Sequence, residues 1–167
     1  DYVSMSILGS VYESLLYLTP DAEFTPNLAE SWERSADDMM YTFHLREGVQ
    51  FHDDWGEMTA EDVKFSYELV IDPESLNAQA SYFRNSIASV EVVDDYTVKF
   101  VLSDPLAPFV QDLAMDIFAI SSPAAIEAAG EDYGLPGVGA VGTGPFKFVE
   151  WIEGDTITVE ANTDYWG

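Results

Sequence analysis

The sequence predicts an α+β fold in which antiparallel hairpins alternate with short helices. Residues 41–46 alternate apolar and polar side chains with a period of two, which predicts a half-buried strand. Residues 87–93 and 96–102 form two more strands around Asp94-Asp95, whose side chains tolerate a tight turn, so this pair is expected to be a hairpin. Apolar residues make up 47% of the 167 residues, enough to bury a sizeable core.

The first half of the chain is expected to contain two helices. Residues 2–18 carry apolar side chains three and four positions apart, which predicts one helix ending before Pro20; these are Ile7, Leu8, Val11, Leu15 and Leu18. A second helix is predicted to begin after Thr59, since this residue is a favourable N-cap and is followed by two carboxylates in the first turn. Its buried stripe is predicted at Val63, Tyr67 and Val70.

Two further helices are predicted later in the chain. Pro108 suits the first turn of a helix running to about Met115. Ser122-Pro123 has the residue types of an N-cap and first helical position, and this helix is expected to end near Gly130.

The strongest break in the pattern lies between Gly130 and Gly144. This stretch holds six glycines and one proline, a composition typical of a loop or a boundary. A second hairpin is predicted to follow, from residues 146–151 and 156–161 around Glu153-Gly154-Asp155.

Charge and composition exclude several function classes. The 31 Asp and Glu residues against six Lys and Arg give a formal net charge of −25, a surface that repels phosphate backbones and anionic lipid headgroups. We therefore expect no nucleic-acid partner and no direct membrane docking. Cysteine is absent, which removes disulfides, thiolate metal ligands and cysteine nucleophiles. The same charge disfavours self-association, so a monomer is expected.

The inventory of reactive groups is thin. His44 falls within an alternating strand and is expected to be a satisfied or surface side chain, whereas the turn His52-Asp53-Asp54 has residue types that bind a hard cation. Neighbouring turn residues alone rarely form a metal site, so no metal and no cofactor are expected. No Gly-x-Ser-x-Gly elbow, phosphate loop or dinucleotide fingerprint occurs. The sequence therefore predicts that the protein is not an enzyme.

Five segments, in order along the chain, together resemble one known family. They are Leu28-Ala-Glu-Ser-Trp32 with residues 41–52, Thr59-Ala-Glu-Asp-Val63, Asp95-Tyr-Thr-Val98, Gly142-Thr-Gly-Pro-Phe-Lys147 and Asn162-Thr-Asp-Tyr-Trp166. Their order and spacing resemble the family 5 extracellular solute-binding proteins of ABC transporters, which include oligopeptide, dipeptide and nickel binders.

The resemblance implies the architecture of a class II periplasmic binding protein, with two lobes, a mixed sheet, hairpins and peripheral helices. It places the chain in the N-terminal portion of such a protein. Residues 1–19 and 123–167 then belong to main lobe I, residues 20–122 form a smaller inserted subdomain, and the second lobe is absent from this chain.

The same resemblance supplies the candidate site residues. Ala80-Ser-Tyr82-Phe83 resembles a segment whose tyrosine lines the cleft of peptide binders. Met5 falls where nickel-type members place a cleft methionine, and Ser6 and Asp116 are cleft candidates by neighbourhood. The remaining motif residues are expected to be architectural: Trp32, Phe43 and Phe51 in packing, Arg46 with Glu47 at a strand end, Gly142 and Gly144 for backbone conformation, and Tyr165-Trp166 as an anchor.

The function implied is capture of short peptides outside the cell and delivery to a membrane permease of an ABC importer. The protein is then periplasmic or extracellular, and tethered to the cell surface. Alternatives are a nickel complex, a sugar or another small solute for the same fold, and, from other classes, a secreted hydrolase or a receptor that signals to a chemosensor.

Overall fold

The computed structural model describes residues 9–75, 77, 79–106, 108–114 and 118–167, and its first elements differ from the sequence prediction. The chain is helical only to Val11, and β1 (Leu16–Leu18) then pairs antiparallel with β2 (Phe24–Pro26). The predicted helix over residues 2–18 is therefore wrong beyond Val11. Leu15 and Leu16 are consecutive and both fully buried. Strand pairing and packing in the core therefore determine the structure here, although the spacing of the apolar residues favours a helix.

A four-stranded antiparallel sheet forms the centre of the described chain. Its strands are β3 (Ala29–Arg34), β4 (Met40–Leu45), β5 (Ile87–Asp94) and β6 (Thr97–Leu102), in the spatial order β3-β4-β6-β5. The predicted alternation along β4 is confirmed, since Tyr41, Phe43 and Leu45 are buried and His44 is exposed. The hairpin predicted around Asp94-Asp95 is confirmed as β5 and β6.

Helices surround the sheet. They are α1 (Ala60–Ile71), α2 (Ala80–Ser86), α3 (Phe109–Asp112) and α4 (Pro123–Ala129), with single 3₁₀ turns at His52–Asp54 and Gly130–Asp132. The predicted start of α1 is confirmed, because the Thr59 N–H and hydroxyl both donate to the Asp62 carboxylate, at 2.7 and 3.0 Å. The start of α4 is confirmed as well, since Ser122 Oγ accepts from the Ala125 N–H at 3.3 Å.

Aromatic rings fill the space between the sheet and the helices. The ring centroid of Phe100 lies 5.6 Å from that of Phe43, 4.7 Å from that of Tyr67 and 5.5 Å from that of Phe109. Tyr67 also stacks on Phe118, with centroids 4.7 Å apart. Such offset and edge-on pairs add to the free energy gained by burial, so this cluster fixes α1 and α3 against the sheet.

The predicted second hairpin is confirmed and forms a sheet of its own. It consists of β7 (Phe146–Ile152) and β8 (Thr156–Ala161), which pair antiparallel. No residue of either strand is buried, and Phe146, Val149 and Ile152 are 40–50% exposed. Every strand pair in the described chain is antiparallel, so the parallel pairing of a mixed sheet is not found there. Among the described helices, none has the length and apolar character needed to cross a bilayer.

Candidate functional site

Gly142 and Gly144 lie directly against the backbone of the first described residues. The Gly144 N–H donates to the Val11 carbonyl at 2.9 Å. A Cβ on Gly144 would lie 2.5 Å from the Ser10 carbonyl oxygen, and one on Gly142 would collide with that of Val11. Neither glycine has a positive φ. The expectation that a Cβ would hinder the backbone at these positions is therefore confirmed, and the reason is close approach: the two glycines permit two chain segments to lie against each other.

His52 holds the same glycine segment from the other side. Its Nε2 donates to the Gly144 carbonyl at 2.9 Å, and its Nδ1 faces the Gly142 N–H at 3.4 Å. Burial lowers the pKa of the imidazole, which favours the neutral tautomer that these contacts require. Both ring nitrogens face backbone groups, and Asp53 forms an ion pair with Lys147 at 3.6 Å. In this arrangement the imidazole is committed to backbone groups and does not face a cation site.

The Glu13 carboxylate joins this region to the end of the chain. Its Oε2 accepts from Thr143 Oγ1 and from Trp166 Nε1, each at 2.9 Å, and its Oε1 accepts from the Tyr165 hydroxyl at 2.8 Å. We call the set Glu13, His52, Thr143, Tyr165 and Trp166 the Glu13 junction. The prediction that Tyr165 and Trp166 anchor the returning chain is confirmed.

Two opposing effects act on the pKa of the Glu13 carboxyl. Burial raises the pKa of the Glu13 carboxyl, while the three donors and the positive charge of Arg46 act in the other direction. The Arg46 guanidinium lies over the Trp166 ring, 4.3 Å from its centroid, and forms an ion pair with Glu30 at 3.1 Å. The sequence predicts that Arg46 with Glu47 fixes the end of the strand; Arg46 follows the last residue of β4, and its ion-pair partner is Glu30 on the adjacent strand β3. The arrangement ties the segment around Glu13 to residues 143–166.

A different polar pair lies on the outer side of the helices. Tyr82 of α2 is 41% exposed, and its hydroxyl donates to Asp112 Oδ2 of α3 at 3.0 Å. The next residue, Phe83, is fully buried and packs edge-on against Phe118, so α2 is anchored by one ring and exposes the other. Burial raises the pKa of Asp112, and burial followed by the contact with Asp112 raises that of Tyr82.

The structure also contains a cavity of about 480 Å³ that sequence reasoning missed. It lies between residues 9–14, one side of α1, the segment 119–121, the loop 134–140 and the β7–β8 hairpin. Its walls include Tyr12, Leu69, Val70, Phe148, Trp151 and Ile157. The polar side chains on it are Glu13, Tyr12 and the serines at 14, 66 and 121. Because five separate segments contribute, no local pattern in the sequence indicates it. Neither Tyr82 nor Asp112 borders it.

The sequence matches the model of one protein family over most of its length. The model of the bacterial extracellular solute-binding proteins, family 5 (middle), matches residues 23–167, most of the chain. This chain belongs to that family. The resemblance deduced from the five sequence segments is therefore confirmed.

Similar family 5 proteins include one curated relative and two solved structures. Di/tripeptide-binding protein 2 of Pseudomonas aeruginosa is 38% identical over 175 residues, covering 93% of this chain and 33% of its own length. The ABC transporter-associated periplasmic binding protein DppA of Helicobacter pylori, in complex with peptide STSA, is 36% identical with a TM-score of 0.85, covering 100% of this chain and 36% of its own. The protein AgaA of A. tumefaciens R10, in complex with agropinic acid, is 33% identical with a TM-score of 0.91, covering 100% and 33%.

These likenesses confirm the periplasmic-binding-protein fold within family 5. The chain spans about a third of the length of the curated relatives it matches. Of the four candidate cleft residues, only Tyr82 lies in the described part of the chain; Met5, Ser6 and Asp116 lie outside it. Sequence reasoning missed Asp112 and Glu13 as contact residues. In a chain with 31 acidic residues, no local pattern marks either carboxylate.

Proposed function

We propose that this chain is part of a solute-binding subunit that captures short peptides for an ABC importer. The observation that carries the proposal is the 38% identity, over 93% of the chain, to a relative named for di- and tripeptides. In this proposal Tyr82 lines the solute site, since it combines an exposed ring with a hydroxyl that donates to Asp112. A ring with a polar tip suits peptides because the ring packs on side chains and the tip bonds to the backbone.

The proposed division of labour follows the two structural regions. Residues 20–122 form the inserted subdomain, which carries Tyr82, and residues 1–19 and 123–167 belong to main lobe I. Two features support the later boundary, near residue 122. The buried core cluster ends at Ile120, although its first members, Leu15 and Leu16, lie in the segment assigned to main lobe I. The Glu13 junction ties Thr143, Tyr165 and Trp166 to Glu13. In this proposal Met5, Ser6 and Asp116 lie near the solute.

Location and partners follow from the family. Family 5 proteins are described as extracellular, so we place this one outside the cytoplasmic membrane, periplasmic or tethered to the cell surface. It delivers its solute to the permease subunits, acts as a monomer and catalyses no reaction. The net charge of −25 supports the monomer, because like charges oppose close self-association.

A second candidate keeps the family and changes the solute. The structural neighbour that holds agropinic acid has a TM-score of 0.91, compared with 0.85 and 0.89 for two neighbours that hold peptides. Agropinic acid, a sugar, a nickel complex or another small solute is therefore the alternative to a peptide.

Native mass spectrometry of the complete gene product, purified without refolding, tests both candidates. Co-purified di- to pentapeptides, identified by fragmentation and rebound in calorimetry, would support peptide capture. A single non-peptide solute would support the alternative. Calorimetry with no heat from any di- to pentapeptide would contradict the peptide proposal.

A further inference from the structure

The Tyr82 hydroxyl donates a hydrogen bond to Asp112 in this structure. Its proton points to Asp112 Oδ2 at 3.0 Å, because a carboxylate accepts hydrogen bonds and cannot donate them. A phenol has one proton, so the remaining capacity of the oxygen is to accept. The Asp112 contact thus removes the ambiguity that a free hydroxyl has.

The surroundings of the pair strengthen this effect. Among the described residues, Asp112 is the charged group that acts on the pKa of Tyr82, and the Tyr82 hydroxyl is the side-chain donor that acts on the pKa of Asp112. Burial of part of the Asp112 side chain leaves fewer waters to compete for the contact. A hydrogen bond to an ionised acceptor is stronger than a neutral one, so the hydroxyl is held more firmly than by a neutral partner.

We propose that Asp112 is a positioning residue of the solute site: by holding the Tyr82 proton, it makes the Tyr82 oxygen a dedicated acceptor that selects an N–H group of the solute. The inference rests on the proposed function, since it takes Tyr82 to face the peptide. A peptide N–H or a terminal ammonium satisfies the oxygen. A carbonyl or carboxylate in the same place would face only lone pairs and would be rejected.

The test compares trialanine with its singly N-methylated derivatives, and with any co-purified peptide treated in the same way. Calorimetry on the complete gene product gives the ratio of Kd values, methylated over parent, at each nitrogen. In the wild type, we expect methylation at one peptide nitrogen to raise Kd roughly tenfold, because it removes one hydrogen bond to the Tyr82 oxygen. Tyr82→Phe should bring that ratio close to one.

Variants of Asp112 separate positioning from mere structural support. Asp112→Ala should lower the ratio as Tyr82→Phe does, and Asp112→Asn should restore most of it, because the amide oxygen still accepts the Tyr82 proton. Tyr17→Phe and Asp104→Ala, on exposed side chains elsewhere, are the matched controls and should keep the wild-type ratio. Thermal melts confirm that each variant is folded, and if Asp112→Ala is not, Asp112→Leu, which has a similar volume and no acceptor, takes its place.

The outcomes distinguish the two levels of the argument. A wild type that binds no peptide would overturn the proposed function and this inference together. A wild type that binds peptides, with the same ratios in Tyr82→Phe or in folded Asp112→Ala, would overturn this inference alone. Parallel loss of the ratio in both variants, with rescue by Asp112→Asn, is the expected result.

Discussion

Glu13 and Trp166 are 153 positions apart in the sequence, yet the Trp166 indole Nε1 donates to Glu13 Oε2 at 2.9 Å. Thr143 and Tyr165 donate two further hydrogen bonds to this carboxylate. One side chain near the start of the described chain is thus bound by three from its last 25 residues or so. Several predictions concern this residue and the segments that it joins.

Replacement of Glu13 by Gln should destabilise the fold by about 1–3 kcal/mol, because the amide nitrogen would face a donor that now has no acceptor. Urea unfolding followed by far-UV circular dichroism measures the change. Glu23→Gln, at an exposed position, is the control and should leave the midpoint unchanged. Equal midpoints for Glu13→Gln and wild type would contradict the role assigned to the junction.

The raised pKa of Glu13 predicts a pH dependence with a definite sign. Because the folded pKa is above the unfolded value, the folded state binds more protons between the two, so the contribution of Glu13 to the free energy of unfolding increases as pH falls through this window. Urea titrations between pH 7.5 and 5 should show this rise, and Glu13→Gln should show a smaller one. A steeper rise in the variant would reverse the assignment.

Gly144→Ala should destabilise by about 2–3 kcal/mol or more, since the new Cβ would meet two backbone carbonyls that cannot rotate away. Gly154 offers a matched control in the turn of the β7–β8 hairpin. It has a φ of 76° and open space around it, so Gly154→Ala should cost only the backbone strain of about 1–2 kcal/mol. Thermal or urea denaturation ranks the two, and a larger loss at Gly154 would refute the close-approach explanation.

Tyr67→Phe should stabilise the protein or leave it unchanged, by up to about 1 kcal/mol. The Tyr67 hydroxyl is buried and has no hydrogen-bond partner among the described residues, while its ring is held by Phe100 and Phe118. Tyr165→Phe is the contrasting variant and should be destabilising, because that hydroxyl bonds to Glu13. The opposite order of unfolding midpoints would indicate that Tyr67 has a partner.

Stability should increase with salt. At a net charge of −25 the folded surface repels itself, and 1 M NaCl shortens the screening length to about 3 Å. We expect a higher urea midpoint in 1 M NaCl than in 0.05 M. A variant with Glu127→Gln, Glu153→Gln and Asp155→Asn should respond less, and an equal or larger response would point to specific ion binding or to a general salt effect.

Local patterns were sufficient for much of the fold. The start of α1 depends on Thr59 and Asp62, and both hairpins depend on period-two alternation around a turn, so each could be predicted within about a dozen residues. The prediction that the first helix extends to Leu18 is wrong, because Leu15 and Leu16 are buried by contacts with distant segments. Helical spacing and burial by distant contacts are indistinguishable in one sequence.

The sites were less predictable for the same reason. Tyr82 came from a resemblance to a family segment, but its partner Asp112 is 30 positions away and one of 31 acidic residues. Similarly, the glycine segment was recognised by its pattern, whereas its purpose is set by Val11 and His52, which approach it from far earlier in the chain.

The Glu13 junction also has a consequence for the order of folding. The core cluster uses residues from Leu15 to Ile120, so its contacts can form before residues 143–166 have docked. The donors to Glu13 all lie later in the chain, at Thr143, Tyr165 and Trp166. The Glu13 carboxylate therefore gains its partners only when this later segment reaches it, so the junction is expected to form after the core cluster.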